Sequence, residues 1–133
     1  MKFKTLSSVY TNNFTDVNIK NKILSLWNEN KTNIETSFEK ENSIACIYHK
    51  YQSDFKGDYT ASICIENENG DFDSKGYIWK EYKIENDKNT LDILSVWKKI
   101  WCDETKGIIK RVYDFDFELY KANGEVSIFV AVF

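Results

Sequence analysis

The chain has 133 residues, a length that suits one domain able to bury a core without disulfide or metal staples. Hydrophobic residues make up 42% and charged residues 29%, which excludes a disordered composition. The net charge of −3, with both signs mixed along the chain, argues against a binder of nucleic-acid backbones, and no run approaches the ~18 apolar residues a membrane span needs.

The N-terminal stretch MKFKTLSSVYTNN lacks the apolar run of a signal peptide, so a cytoplasmic setting is expected. Lys2 to Tyr10 reads as a first strand, with imperfect alternation. Thr15 or Asp16 is placed to cap a helix from about Val17 to Asn30, whose Ile19, Ile23, Leu26 and Trp27 recur at helical spacing. Lys31 to Lys40 is ambiguous and adds about one turn around Ile34 and Phe38. Ser43 to Tyr51 and Tyr59 to Glu66 read as strands on either side of a turn at Gly57, and Glu66 to Gly76 as a polar linker. Tyr77 to Ile84 alternates as a strand. Asn89 caps a helix from Thr90 to about Asp103, with Asp92 at the capping-box position. Ile109 to Tyr120 and Val126 to Phe133 read as strands joined by the turn at Ala122 to Glu125.

The layout is therefore β-α-β-β twice. ILSLW, Ile23 to Trp27, echoes ILSVW, Ile93 to Trp97, at an offset of 70, and each copy lies on its expected helix. This supports an α+β fold with both helices on one side of a mostly antiparallel sheet. The other side, or the seam between the halves, is left to bind something.

The cysteines, Cys46, Cys64 and Cys102, are odd in number and match no zinc or redox spacing, so free thiols in a reducing compartment are expected. Aromatic content is high at 16%, with four Trp, eight Tyr and nine Phe, and there is no proline. Such rings build cores, and the polar ends of Tyr and Trp also line ligand pockets. The stretch YDFDFELY places Tyr113, Phe115, Phe117 and Leu119 on one strand face and Asp114, Asp116, Glu118 and Tyr120 on the other. Its acids could decorate solvent, ligate a metal, form a catalytic pair or wall a binding cleft. Successive acids on one straight strand stand about 6.8 Å apart, too far to share one ion without bending. His49 is the only histidine and reads as a surface or rim residue, so neither a metal centre nor a His-dependent nucleophile is expected. On the residues alone, a solvated face is the favoured reading.

The closing stretch resembles the GyrI-like small-molecule-binding domains, also called bacterial transcription-activator effector-binding domains. The resemblance is carried by IWCDE (Ile100 to Glu104), FELY (Phe117 to Tyr120) and EVSIFVAVF (Glu125 to Phe133), and more loosely by YHKYQSDFKGDYTASICIE. It implies one domain over residues 1–133, built as pseudo-two-fold β-α-β-β halves at about 1–70 and 71–133, with a central ligand cleft. It selects Glu118 as the central carboxylate, with Tyr48, Trp79, Tyr82, Tyr120 and Phe129 nominated around the ligand and Asp114 and Asp116 left at the rim or in solvent. The function it implies is non-catalytic binding of lipophilic or cationic small molecules, in sensing or sequestration, by a stand-alone member. No cofactor is expected, the residues themselves point to no metal, direct nucleic-acid or membrane contact, and a protein partner stays open but not identifiable from the sequence. The alternative is hydrolysis of reactive cyclopropane-containing cytotoxins, with Glu118 as general acid or base and Tyr48 beside it.

Overall fold

The structure, a computed structural model, describes residues 1–85 and 92–133. The elements follow in the order β1 (Lys2–Thr11), α1 (Ile19–Glu29), α2 (Lys31–Glu39), β2 (Ile44–His49), β3 (Tyr59–Glu66), β4 (Phe72–Asp73), β5 (Ile78–Ile84), α3 (Ile93–Thr105), β6 (Phe115–Tyr120) and β7 (Val126–Val132). The seven strands form one antiparallel sheet in the order β4-β1-β3-β2-β6-β7-β5. Leaving out the two-residue β4, the two halves mirror each other. The order β1-β3-β2 is repeated as β5-β7-β6, and β2 meets β6 at the seam. The duplicated α+β layout expected from the sequence is the observed topology.

The helix boundaries differ from expectation in instructive ways. The ambiguous stretch after Asn30 is a helix in its own right, α2. Neither Thr15 nor Asp16 is the N-cap of α1; Asn18 holds that position without a side-chain cap. Asp16 instead organises the preceding turn, accepting from the Asn18 N–H at 2.9 Å and from Thr11 and Lys22. Asn89 and Thr90 lie outside the described residues. Asp92 is itself the N-cap of α3, accepting from the Ser95 N–H at 3.0 Å.

The sheet curls strongly. Phe3 on β1 and Phe117 on β6 are separated by two intervening strands, a distance of about 14 Å across a flat sheet. Their ring centroids are 5.3 Å apart. The concave face thus closes over an aromatic core in which Phe117 also meets Trp79 and Phe129, each at 5.0 Å. Each ring buried there contributes roughly 1.5–3 kcal/mol. The connector between β3 and β5 helps close this face: Ser74 ties to Met1 through its backbone N–H, and its carbonyl accepts from the Trp79 indole at 2.8 Å. The opposite, convex face carries the helices. Leu26 of α1 packs over Ile44, Cys46 and Ile63, and Ile100 of α3 over Ile128 and Val130.

Candidate functional site

The central strand β6 alternates, but its first expected residues do not. Tyr113 has φ of 62°, a left-handed conformation that takes it out of the strand and away from the Phe115 face. Its ring lies under the Arg111 guanidinium, 4.3 Å from the centroid, and its hydroxyl donates to Glu104 at 2.6 Å. These contacts offset a backbone cost of about 1–2 kcal/mol. From Phe115 onward, Phe115, Phe117 and Leu119 enter the concave core, and Asp116, Glu118 and Tyr120 point to the helix side.

On that side α1 and α3 bound a cavity of about 430 Å³. The repeated motif supplies matching walls: Ile23, Leu24 and Trp27 from α1, and Ile93, Leu94 and Trp97 from α3. The sheet supplies the floor, with Tyr48 from β2, Tyr59 from β3, and Glu118 and Tyr120 from β6. Asn13, Tyr51 and Phe55 from two loops and Trp101 from the end of α3 close one end, and Arg111 lines it from the segment before β6.

Glu118 is 4% exposed at this floor. One carboxylate oxygen accepts from the Tyr48 hydroxyl at 2.6 Å and the Trp97 indole at 2.7 Å; the other accepts from the Tyr120 hydroxyl at 2.5 Å. All three donors are neutral. Burial raises the Glu118 pKa above its ordinary value, and the donations from Tyr120, Tyr48 and Trp97 pull it back part of the way. Burial also raises the Tyr48 and Tyr120 phenols well above the usual range, so both remain donors. Among the described residues no cation lies within 4.0 Å of the Glu118 carboxylate.

Asp116, two residues earlier on the same face, is handled differently. It is fully buried, contrary to the expected rim position. Arg111, the only arginine among 18 basic residues, pairs with it at 2.6 Å. Tyr51 donates to it at 2.5 Å, and the Ala131 N–H at 2.9 Å. The planar guanidinium also reaches Glu104 at 3.6 Å and lies on the Tyr113 ring, contacts that a lysine could not make together. Burial works against the charge on that guanidinium, but Asp116 together with Tyr51 and Tyr113 outweighs it and holds the Arg111 pKa above its ordinary value. Asp114 is exposed and receives a hydrogen bond from Tyr77.

Of the six nominated residues, the cavity brings together Tyr48, Glu118 and Tyr120. Trp79 and Phe129 do not line it. Phe129 pairs with Phe117 across β6–β7 and so shares its concave face, and Trp79 packs on Phe117 there. Tyr82 is on the helix side but under α3, where its hydroxyl donates to Asp103 at 2.9 Å. The residues that sequence reasoning missed include Trp27 and Trp97. The ILSLW–ILSVW echo marked both, yet their helical spacing read as core. Arg111 carried a signal in its singularity among seventeen lysines. His49 is half-buried and bonded to Ser62 at 2.7 Å; burial, helped by Lys50, lowers its pKa to about 4. Cys46 and Cys64 are buried free thiols and Cys102 is exposed.

Among the described residues no helix is long and apolar enough to cross a membrane. No protein-family model matches the chain. Over 123 residues it is 26% identical to the "Putative transcriptional regulator protein YobU" of Bacillus subtilis (strain 168), covering 80% of this chain and 74% of that protein. The crystal structure of the integron cassette protein VCH_CASS2, from the mobile metagenome of Vibrio cholerae, has the same fold, with a TM-score of 0.71 over 100% of this chain and 92% of the other at 23% identity.

Proposed function

We propose that this chain binds lipophilic, cationic small molecules in the cavity between α1 and α3, as a GyrI-like effector-binding domain acting in sensing or sequestration. One observation carries the reading. Two acids are buried side by side on one strand face; Asp116 has a cation, and Glu118 has three neutral donors and an aromatic cavity above it. Hydrogen bonds from neutral groups stabilise a buried carboxylate but leave its charge uncompensated. A cation entering among Trp27, Tyr48 and Trp97 would supply that compensation and gain cation–π contact. The relative named as a transcriptional regulator supports a regulatory setting, and the buried free thiols fit a reducing compartment.

Titration of tryptophan fluorescence with a cationic dye tests this. E118Q is expected to weaken binding about tenfold or more, a change of roughly 1.4 kcal/mol. Equal affinity of wild type and E118Q would overturn the charge argument. A hydrolytic role at the same carboxylate has one observation in its favour: burial raises the Glu118 pKa beside the Tyr48 hydroxyl, as an acid–base pair requires. Turnover of a cyclopropane-containing compound beyond stoichiometry would establish that role, and its absence leaves binding.

A further inference from the structure

The cavity has a second feature that Glu118 does not explain. Trp97 and Trp101 stand four residues apart on α3, one helical turn of about 6 Å, and both line the cavity. Trp97 touches Glu118. Trp101 instead stacks on Phe55, with centroids 5.3 Å apart and planes at 9°, and Phe14 meets Trp101 at 5.5 Å. Trp101 and Phe55 are half-buried and Phe14 is 58% exposed, so these three rings form a cluster at the surface rather than part of either core. They come from three separate places: the loop before α1, the loop before β3 and the last turn of α3.

The cluster also breaks the symmetry of the halves. The offset of 70 that relates Trp27 to Trp97 relates Lys31, an exposed residue of α2, to Trp101. Tyr48 and Glu118, related by the same offset, meet at the seam. The cavity therefore has an anionic station at its seam, beside the rings of Tyr48 and Trp97, and a stacked Trp101–Phe55 pair at one end, where the offset of 70 puts Lys31 in place of Trp101 in the other half. Its α3 wall, from Ile93 to Trp101, runs about 12 Å.

We infer that Trp101 and Phe55, flanked by Phe14, form a separate subsite for a flat aromatic ring, so that the ligand is an elongated molecule with a cationic head at Glu118 and an aryl body lying along Trp97 toward Phe55. The inference rests on the reading of Glu118 as the ligand's counter-charge. Offset stacking on indole and phenyl faces selects a planar ring over a compact alkyl group. A trough longer than a cation, with the stacked Trp101–Phe55 pair at one end, selects direction.

Two probes separate the stations: tetraethylammonium, a head alone, and naphthylmethyl-trimethylammonium, a head with a flat ring. Their affinities are measured by calorimetry on wild type, W101L, F55L and E118Q. Phe55 lines the cavity from a loop and is only half-buried, so F55L keeps the test open if W101L fails to fold, and circular dichroism checks both. W101L and F55L should each weaken the naphthyl probe by about tenfold or somewhat less and leave tetraethylammonium within twofold. If both variants leave the naphthyl probe unchanged, or weaken both probes alike, the subsite is overturned. E118Q should weaken both probes. If it weakens neither and the aryl-selective loss at Trp101 persists, the counter-charge reading fails and an apolar ring site remains.

Discussion

Glu118 gains three hydrogen bonds and still stands above its ordinary pKa, because burial outweighs them. The consequence for stability has a definite sign. A carboxyl with a raised folded pKa contributes stability that is fully present below the unfolded carboxylate range and is lost as pH rises through its folded value. Ionised Glu118 therefore leaves the empty protein less stable than protonated Glu118 does. E118Q can keep its oxygen on Tyr48 and Trp97 and turn its amide toward the Tyr120 hydroxyl oxygen. It is expected to raise the melting temperature of the ligand-free protein at pH 7 while weakening cation binding, a trade of stability for function. Cation affinity should fall as pH drops through the raised Glu118 pKa, and E118Q should flatten that profile. A wild-type affinity unchanged from pH 8 to pH 4 would show that the ionised carboxylate is not what the ligand meets.

The elements around Asp116 meet through one side chain. Arg111 bridges to Val132 by its backbone, pairs with Asp116 on β6, reaches Glu104 at the end of α3 and lies on the rings of Tyr113 and Tyr51. It thereby ties α3 and the loop after β2 to the central strand, and it removes Asp116 from the charge balance of the cavity. Breaking a buried pair from one side leaves an uncompensated charge, at a cost of about 3–5 kcal/mol. R111M is expected to lose stability of that order in urea unfolding, and R111M/D116N to recover most of it, because the asparagine oxygen can still accept from the Ala131 N–H. If the double variant is no more stable than R111M, the guanidinium acts through packing on the rings rather than through Asp116. This network also shows where sequence reading stopped. Alternation put Asp116 and Glu118 on one face correctly but could not rank their burial, because a central strand in a curled sheet is buried on both faces and its acids look the same as solvent acids. The departure of Tyr113 was illegible for a related reason: its positive φ goes with contacts to Arg111 and Glu104, which alternation of polar and apolar residues does not encode.

At the scale of the whole molecule, the curl decides which aromatic residues reach a ligand. The repeat, the β-α-β-β order along the chain and helices α1 and α3 were legible from periodicity and from the ILSLW echo. Trp79 and Phe129 lie on the face away from Glu118, which the sequence could not show because face assignment across strands needs register: Phe129 sits opposite Phe117, and Phe117 is concave. The sheet thus separates two chemistries, a closed aromatic core on the concave side and a charged, open cavity on the convex side. Gly70 sits where the connector crosses β1 to complete that closure. A Cβ there would stand 2.3 Å from the Phe3 carbonyl oxygen and 2.4 Å from its carbon, both backbone atoms that cannot swing aside. G70A must push the connector off β1 and loosen the hold of Ser74 on Met1 and Trp79. It is expected to cost about 1–3 kcal/mol, read as a lower urea midpoint. Because the cavity lies on the other face of the sheet, the affinity of G70A for a cationic probe should stay within twofold of wild type wherever the protein remains folded. A loss of affinity larger than that in folded G70A would mean that the two faces are coupled through the sheet, and that closure of the concave core helps set the cavity.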